Sequence, residues 1–319
     1  MRVSDNTNFS VVRDGIQRSK EKLENLQFQS ATMKKVNIPS DDPVGAAKIL
    51  ELRTDKMNNE HYHLNSKMAE AFLENTDQAL SDLTEIILRA KEITISQSSA
   101  ASSNSDSRMG VAEEVNQLLR QGVAIGNRKM GERYLFGGYK TQKPPIGPEG
   151  EYLGDQGHMM LEIADNVYIS TNVTGYEAFN THPQSSTQNQ TGYSDRSSSD
   201  EEEGQNPENV NLFDQLQDLR IGLITGNTEG IRSTLERFDQ IFNHLVATRS
   251  KVGSRLQGIA TTMQSNEKHS ITNASLSSSI QDADMAQVVT DLNKEEAILR
   301  SSLASSKKLI QPTLLEFLR

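Results

Sequence analysis

The sequence contains no cysteine and no tryptophan, and aromatic residues make up only 5% of its 319 residues. Without cysteine, neither a disulfide framework nor thiol chemistry is available. Proline is also scarce, with eight residues, and the long runs between prolines are rich in polar and helix-forming residues. This composition argues against one large globular core and is typical of long helices with narrow apolar stripes.

Positive charge is in short supply too, since the formal net charge is -10. Phosphate recognition needs clustered Lys and Arg, so the balance disfavours nucleic acid as a partner. No segment reaches the length of a membrane span, and the first thirty residues lack the apolar run of a secretory signal. We therefore expect no membrane partner and no cleavable signal peptide.

Motifs that carry chemistry are missing as well. The sequence has no Gly-rich phosphate loop and no nucleophile elbow. His61 and His63 flank Tyr62 in a helical pattern and lie about 200° apart around the axis, so one ion does not easily reach both. His244 and His269 stand alone and are expected on the surface. We expect no catalytic residue, no cofactor, no metal site and no enzyme activity.

What the sequence does have is a repeated heptad spacing, in which apolar or small residues recur at gaps of three and four and keep one helix face towards a partner. Two strong seams cover residues 73–94 and 231–280 and are expected to pack together within one subunit. Two weaker seams flank them. The first comprises Phe9, Val12, Ile16, Ser19, Leu23, Leu26, Ser30 and Met33, and the last comprises Met285, Val289, Leu292, Glu296, Leu299, Leu303, Ser306, Ile310, Thr313 and Phe317.

Two firm breaks separate the weak seams from the strong ones. In "VNIPSDDPVGAAKIL", residues 36–50, Pro39 and Pro43 turn the preceding residues away from helix. Asp42 followed by Pro43 predicts a capped helix start, with Asp41 beside it. In "QDADMA", residues 281–286, Asp282 or Asp284 is placed to cap a new helix. We predict that these residues act as caps and hinges.

The predicted fold is mainly α, a long antiparallel coiled-coil bundle with a small β-containing insertion. Strand-like runs "HMMLEIA" and "NVYIST" lie in the insertion, which ends in a polar tract, residues 181–205, typical of a mobile loop. "YLFGG", residues 134–138, is interpreted as a helix C-cap with a local hydrophobic clasp, and an added contact with a neighbouring subunit is the alternative. The predicted regions are an N-terminal assembly helix 1–41, rod halves 42–138 and 208–281, the insertion 139–207 and a C-terminal assembly helix 282–319.

The weak seams have too few large side chains to offset the backbone entropy lost when they become ordered. We therefore expect both end segments to lie side by side and to order when neighbouring subunits cover them. The predicted assembly interface consists of the large seam residues: Phe9, Val12, Ile16, Leu23, Leu26, Met33, Met285, Val289, Leu292, Leu299, Leu303, Ile310 and Phe317.

Four stretches carry a resemblance to a known family: "MRVSDN", "VNIPSDDPVGAAKIL", "GERYLFGGYKTQKPP" and the segment from "SSIQDADMA" to the last residue. The chain resembles the flagellin superfamily, and more narrowly the hook-filament junction type of hook-associated protein. "PSDDP", "YLFGG" and the short insertion favour the junction type over flagellin. The charged residues of the last segment, such as Lys294, Glu295 and Glu296, depart from a commonly glutamine-rich pattern.

The resemblance implies an extracellular structural protein of the bacterial flagellum that joins hook and filament. Its implied partners are copies of itself, the first hook-associated protein, flagellin, an export chaperone and the flagellar type III export apparatus. One competing interpretation is a flagellin or flagellin-like filament subunit. Another, from a different class, is a coiled-coil module whose β insertion binds a surface ligand or host receptor.

Overall fold

The structure, a computed structural model, describes residues 2–99, 105–181 and 210–310, with the side chains of 2–9, 99, 105 and 307–310 left out. Within these ranges helices dominate, as the composition predicts. They are α1 (Arg2–Thr32), α2 (Pro43–Ser99), α3 (Ser105–Gly126), α4 (Gly175–Phe179), α5 (Leu212–Thr225), α6 (Thr228–Gln281) and α7 (Met285–Ile310). The mainly α fold class with a small β-containing part is confirmed.

Four short strands form two antiparallel hairpins. β1 (Lys129–Met130) pairs with β2 (Arg133–Tyr134), and β3 (Met160–Ala164) pairs with β4 (Val167–Ser170). The second hairpin arises where the sequence predicts strands. The predicted mobile tract falls almost wholly within residues 182–209, outside the described residues.

The chain divides into two compact units. The central unit is His61–Asn266, and the terminal unit combines Met1–Glu60 with Glu267–Arg319. Both divisions fall inside long helices, α2 and α6, whereas the boundaries drawn from the sequence follow the helix breaks.

Large apolar side chains fill the core of the central unit. Phe179 packs edge-to-face against Phe136 and Phe213, with ring centroids 5.1 and 5.3 Å apart. Residues of α2 from Ala69 to Ile93 and of α6 from Ile231 to Ile259 belong to the same buried cluster. The prediction that the strong seams pack within one chain is therefore confirmed over this length.

Ion pairs show that α2 and α6 run antiparallel in the central unit. Arg249 donates two hydrogen bonds to the carboxylate of Asp77, at 3.0 and 3.2 Å. Further along, Lys91 of α2 pairs with Asp239 of α6. Residue numbers that rise on one helix thus meet falling numbers on the other.

The described part of the insertion is built into this core. The Nδ2 groups of Asn65 and Asn266 each donate a 2.9 Å hydrogen bond to a β3 carbonyl, those of Glu162 and Ile163. Ile163 itself is buried in the core cluster. The β3–β4 hairpin is consequently fixed to both long helices of the central unit.

Two interpretations from the sequence are wrong. "YLFGG" does not cap a helix, because α3 ends at Gly126 and Tyr134 lies in β2; Gly131, with φ +61°, turns the chain into that strand first. His244 is not a solitary surface residue, since its Nε2 lies 2.6 Å from the Glu177 carbonyl oxygen of α4.

Candidate assembly interface

Helices α1 and α7 pack against each other in the terminal unit. The Ser19 hydroxyl donates a 3.2 Å hydrogen bond to Glu295, and Lys22 lies 3.7 Å from the other oxygen of the same carboxylate. Ser19 is buried, and the Glu295 side chain is only 16% exposed. The centre of this helix pair is therefore polar, which makes its apolar contribution small.

The helix that follows the first break starts where the sequence predicts. Oδ1 of Asp42 accepts hydrogen bonds from the backbone N–H groups of Val44 and Gly45, at 3.1 and 3.0 Å. This is N-cap geometry, with Pro43 as the first helical residue. Asp41 points the other way, because its Oδ2 accepts from the N–H groups of Asn37 and Ile38 at 3.1 Å.

At the second break the two candidate aspartates divide their roles. Oδ1 of Asp284 accepts from the N–H groups of Ala286 and Gln287, at 2.9 and 3.3 Å, and so caps α7. Asp282 instead accepts a hydrogen bond from the Ser278 hydroxyl at the end of α6. One carboxylate closes a helix and the other opens the next.

Backbone hydrogen bonds join the two breaks directly. The Lys35 N–H donates to the Gln281 carbonyl at 2.7 Å, and the Ala283 N–H donates to the Met33 carbonyl at 3.0 Å. Lys34 and Asp282 form an antiparallel bridge between them. Met33, the residue that follows α1, holds φ +57°, a conformation uncommon outside glycine. The breaks thus lie side by side.

The large seam residues predicted for the interface fall into three groups. Half-buried are Val12, Ile16, Leu23, Leu26, Met285, Leu292 and Leu299. Exposed are Met33, Val289 and Leu303. The side chains of Phe9 and Ile310, and all of Phe317, lie outside the described residues. Pro39 and Pro43 are exposed in the break.

Sequence reasoning missed the most buried apolar residue among the described side chains of α7, which is Val288 rather than Val289. The sequence offers two phases here, because Met285, Val288, Leu292 and Glu295 also follow gaps of three and four. The buried face of α7 includes Glu295. Because a carboxylate is unusual at a core position, the sequence pattern favoured the other face. A search for a hydrogen-bonding partner of Glu295 on α1 could have identified the buried phase, because Ser19 is that partner.

Apolar burial in the terminal unit is small compared with apolar exposure. Among its described side chains, four hydrophobic residues are buried: Val36, Ile49, Leu52 and Val288. Twelve large hydrophobic side chains are exposed: Val11, Phe28, Met33, Ile38, Val44, Leu50, Met57, Ile271, Leu276, Val289, Ile298 and Leu303. Exposed apolar side chains that outnumber buried ones in this way are consistent with a surface that a partner covers.

Other kinds of site find no support in the part of the chain that the structure describes. It contains no group of three His, Asp or Glu residues placed to hold a metal ion. Its helices include none with the length and apolarity that crossing a membrane requires. The exposed apolar surface of the terminal unit is the feature that calls for a partner.

Comparison with known proteins finds similarity to flagellar proteins. Residues 3–141 match the bacterial flagellin N-terminal helical region. Over these residues the chain is similar to the bacterial flagellins. It is 25% identical to flagellar hook-associated protein 3 of Salmonella typhimurium over 95% of both chains. To a flagellin of Listeria innocua it is 21% identical, over 95% of this chain and 94% of the other.

A solved structure agrees on the fold. The crystal structure of the flagellar junction protein FlgL from Legionella pneumophila superimposes with a TM-score of 0.55 at 18% identity, covering 73% of this chain and 99% of that one. The resemblance drawn from the sequence motifs is thus confirmed, and similarity to hook-associated protein 3 exceeds similarity to flagellin.

Proposed function

We propose that this protein is a structural subunit of the bacterial flagellum that forms the junction between hook and filament by self-assembly through α1 and α7. The observation that carries the proposal is the balance among the described side chains of the terminal unit, where four hydrophobic residues are buried and twelve large ones are exposed. Its similarity to hook-associated protein 3 over 95% of both chains supports the choice of junction rather than filament.

The physical reason for self-assembly is that α1 and α7 bury little within one chain. Full burial of a Val, Leu, Ile, Phe or Met side chain contributes about 1.5–3 kcal/mol. Val289 and Leu303 on α7, and Val11 and Phe28 on α1, gain this only from a neighbouring molecule. Contact between subunits therefore stabilises helices that one subunit supports weakly.

The further partners follow from this role. We infer that the subunit contacts the first hook-associated protein on one side and flagellin on the other. We also infer passage through the flagellar type III export apparatus, with an export chaperone holding the C-terminal segment beforehand. A segment that buries few apolar side chains suits both steps, because it unfolds readily and leaves apolar side chains free for a chaperone.

A flagellin-like filament subunit is the second candidate, and the observation that favours it is the 21% identity to Listeria innocua flagellin. A deletion strain separates the two. Loss of a junction subunit leaves hooks intact and sheds flagellin into the medium, whereas loss of a filament subunit removes the filament protein itself. Normal filaments in the deletion strain would contradict both.

The role of α1 is tested by neighbouring substitutions in the complementing gene. Leu26→Asp places a charge in the half-buried seam, and Gln27→Asp places the same charge on the exposed side. We expect Leu26→Asp to lose filament attachment and Gln27→Asp to retain it, with equal amounts of protein exported. Equal filament attachment in both variants would show that the seam is not an assembly surface.

A further inference from the structure

Helix α7 offers two faces at gaps of three and four, and it packs on α1 with the less apolar one. The face that packs, called here the inner face, consists of Met285, Val288, Leu292, Glu295, Leu299, Ser302 and Ser306, all of them buried or half-buried. The alternative face keeps four of these residues and replaces Val288, Glu295 and Ser302 with Val289, Glu296 and Leu303. Since a leucine takes the place of a serine, the apolar pattern alone favours the alternative face.

A polar contact with α1 holds the inner face in place. Ser19 is only 6% exposed, and its hydroxyl donates a 3.2 Å hydrogen bond to Oε2 of Glu295. Nζ of Lys22 lies 3.7 Å from Oε1 of the same carboxylate. Glu296, which belongs to the alternative face, instead pairs with Arg300 of its own helix at 3.4 Å. Of the two glutamates, Glu295 is the one that connects α7 to α1.

This contact has the energetic character of a selector. Turning α7 to its alternative face would bury Leu303 but would move Glu295 away from Ser19 and Lys22. A buried hydrogen bond adds little net stability, whereas breaking it leaves a buried polar group unpaired, which is costly. Single polar residues at core positions of coiled coils can fix the pairing geometry in this way, at some expense in stability.

We propose that Glu295 and Ser19 determine which face of α7 packs on α1, and that they thereby turn Val289 and Leu303 outwards. Val289 is 48% exposed and Leu303 46%, so both are accessible to a neighbouring molecule. The proposal rests on the proposed self-assembly through α1 and α7 and names the residues that orient the assembling face. Glu295 is a positioning residue, since it acts through the direction in which other side chains point.

Replacing Glu295 with leucine separates orientation from stability. Glu295→Leu adds apolar surface to the inner face, so a helix pair that needed only stability would keep its filaments. We expect instead a several-fold loss in the fraction of hooks that carry a filament, with equal amounts of protein exported. Glu295→Gln keeps an oxygen acceptor for the Ser19 hydroxyl and should retain attachment. Asn293→Leu places the same leucine at an exposed position and is the matched control.

Thiol crosslinking detects the packed face directly, because the natural chain supplies no cysteine background. Helices α1 and α7 are joined at the two breaks by an antiparallel bridge and run antiparallel from there. Val12 and Ser302 each lie one heptad beyond Ser19 and Glu295 along their helices, so they occupy equivalent positions of the pair. Both side chains are half-buried.

Val12→Cys is therefore combined with Ser302→Cys in one full-length variant and with Leu303→Cys in a second. A short bis-maleimide is applied to isolated flagella and to the free chain, and linked peptides within one chain are quantified by mass spectrometry. We expect several-fold more linkage at position 302 than at position 303. Adding Glu295→Leu to both variants should abolish or reverse this preference in the free chain.

Equal linkage at positions 302 and 303 in flagella would overturn the proposal, as would an unchanged preference after Glu295→Leu. Full filament attachment with Glu295→Leu would also contradict it. In each case, loss of attachment by Leu26→Asp would show that the junction function stands without the orienting role. If immunoblots find no copy of the chain in flagella, the proposed function fails, while crosslinking of the free chain still decides which face is packed.

Discussion

The two compact units share the long helices α2 and α6 but differ in how much apolar surface α6 buries in each. Between Ile231 and Ile259, α6 buries a large apolar residue at nearly every second turn, and its partner residues on α2 do the same. From Asn266 onwards its buried or half-buried positions are Asn, Ser, one Ile and one Gln, whereas Ile271 and Leu276 are exposed. Helix α6 continues into the terminal unit, but it contributes no fully buried apolar side chain there.

This difference teaches that helical spacing and a stable core are separate properties. Helix formation needs compatible residues and capped ends, whereas independent stability needs apolar burial. The central unit has both within one chain. The terminal unit has the spacing and the caps, at Asp42 and Asp284, but twelve of its described large apolar side chains are exposed in the single chain. This division is the one expected of a subunit that is stable in its centre and assembles through its terminal helices.

The largest effect is expected from a core truncation in the central unit. Phe136→Ala removes the side chain that packs against Phe179 and leaves a cavity, so it should lower the free energy of unfolding by about 3–5 kcal/mol. Phe28→Ala, at an exposed site in the terminal unit, should change it by less than about 0.5 kcal/mol. Urea unfolding of the free chain measures both.

Equal losses from the two phenylalanines would break the comparison, because they would mean that the terminal unit has a core of its own.

A smaller effect is expected at the hairpin anchor. Asn266→Ala leaves the Ile163 carbonyl without its donor in a buried place, which should destabilise the central unit by about 1–3 kcal/mol. Asn273→Ala, two turns further along α6 in the terminal unit, is the matched control and should be nearly silent. If both variants behave alike in urea unfolding, the division within α6 is not real.

Loss of a cap should act locally. Asp42→Ala removes the acceptor for the Val44 and Gly45 N–H groups, at a cost of about 1 kcal/mol to the start of α2. Hydrogen exchange should then quicken in the first turns of α2 and stay unchanged in the central unit. Asp42→Asn keeps an oxygen acceptor and should restore protection. Quicker exchange throughout the chain would show that the two units unfold together.

The smallest effect is expected in the pH dependence of the free energy of unfolding, through Asp155. Burial raises the pKa of Asp155, but hydrogen bonds from the N–H groups of Tyr139 and Gly157 outweigh it, and the pKa lies below its ordinary value. A carboxyl with a lowered folded-state pKa stabilises the fold above its unfolded pKa, and this stabilisation is lost as pH falls through the folded pKa.

Asp155→Asn should therefore lower stability near neutral pH and have less effect in acid. Urea midpoints between about pH 7 and about pH 3 measure this. A difference from the unchanged chain that grows as pH falls would contradict it.

Features set by local chemistry could be predicted from the sequence. The starts of α2 and α7 follow from aspartate caps at Asp42 and Asp284, and the β3–β4 hairpin follows from its strand-forming residues. The phase of α7 could not, because the choice between Val288 and Val289 depends on how Glu295 meets Ser19 across the pair. The place of Phe136 in the core likewise depends on residues distant in sequence, Phe179 and Phe213.

The exposed members of the predicted interface, Met33, Val289 and Leu303, show the limit of pattern alone. Heptad spacing identifies a helix face that is suited to packing against another helix. It does not show whether that helix belongs to the same chain. Within one chain Met33 is 64% exposed, Val289 48% and Leu303 46%, and their role in assembly stays a prediction.

Hydrogen exchange on the full-length chain, free and assembled, tests the central claim most directly. In the free chain we expect strong protection within residues 69–93 and 231–259 and weak protection within 10–60 and 267–306, because few apolar side chains are buried there. On assembly, protection should rise in the weak regions and stay constant in the strong ones. Equal protection of all four regions in the free chain would contradict the account.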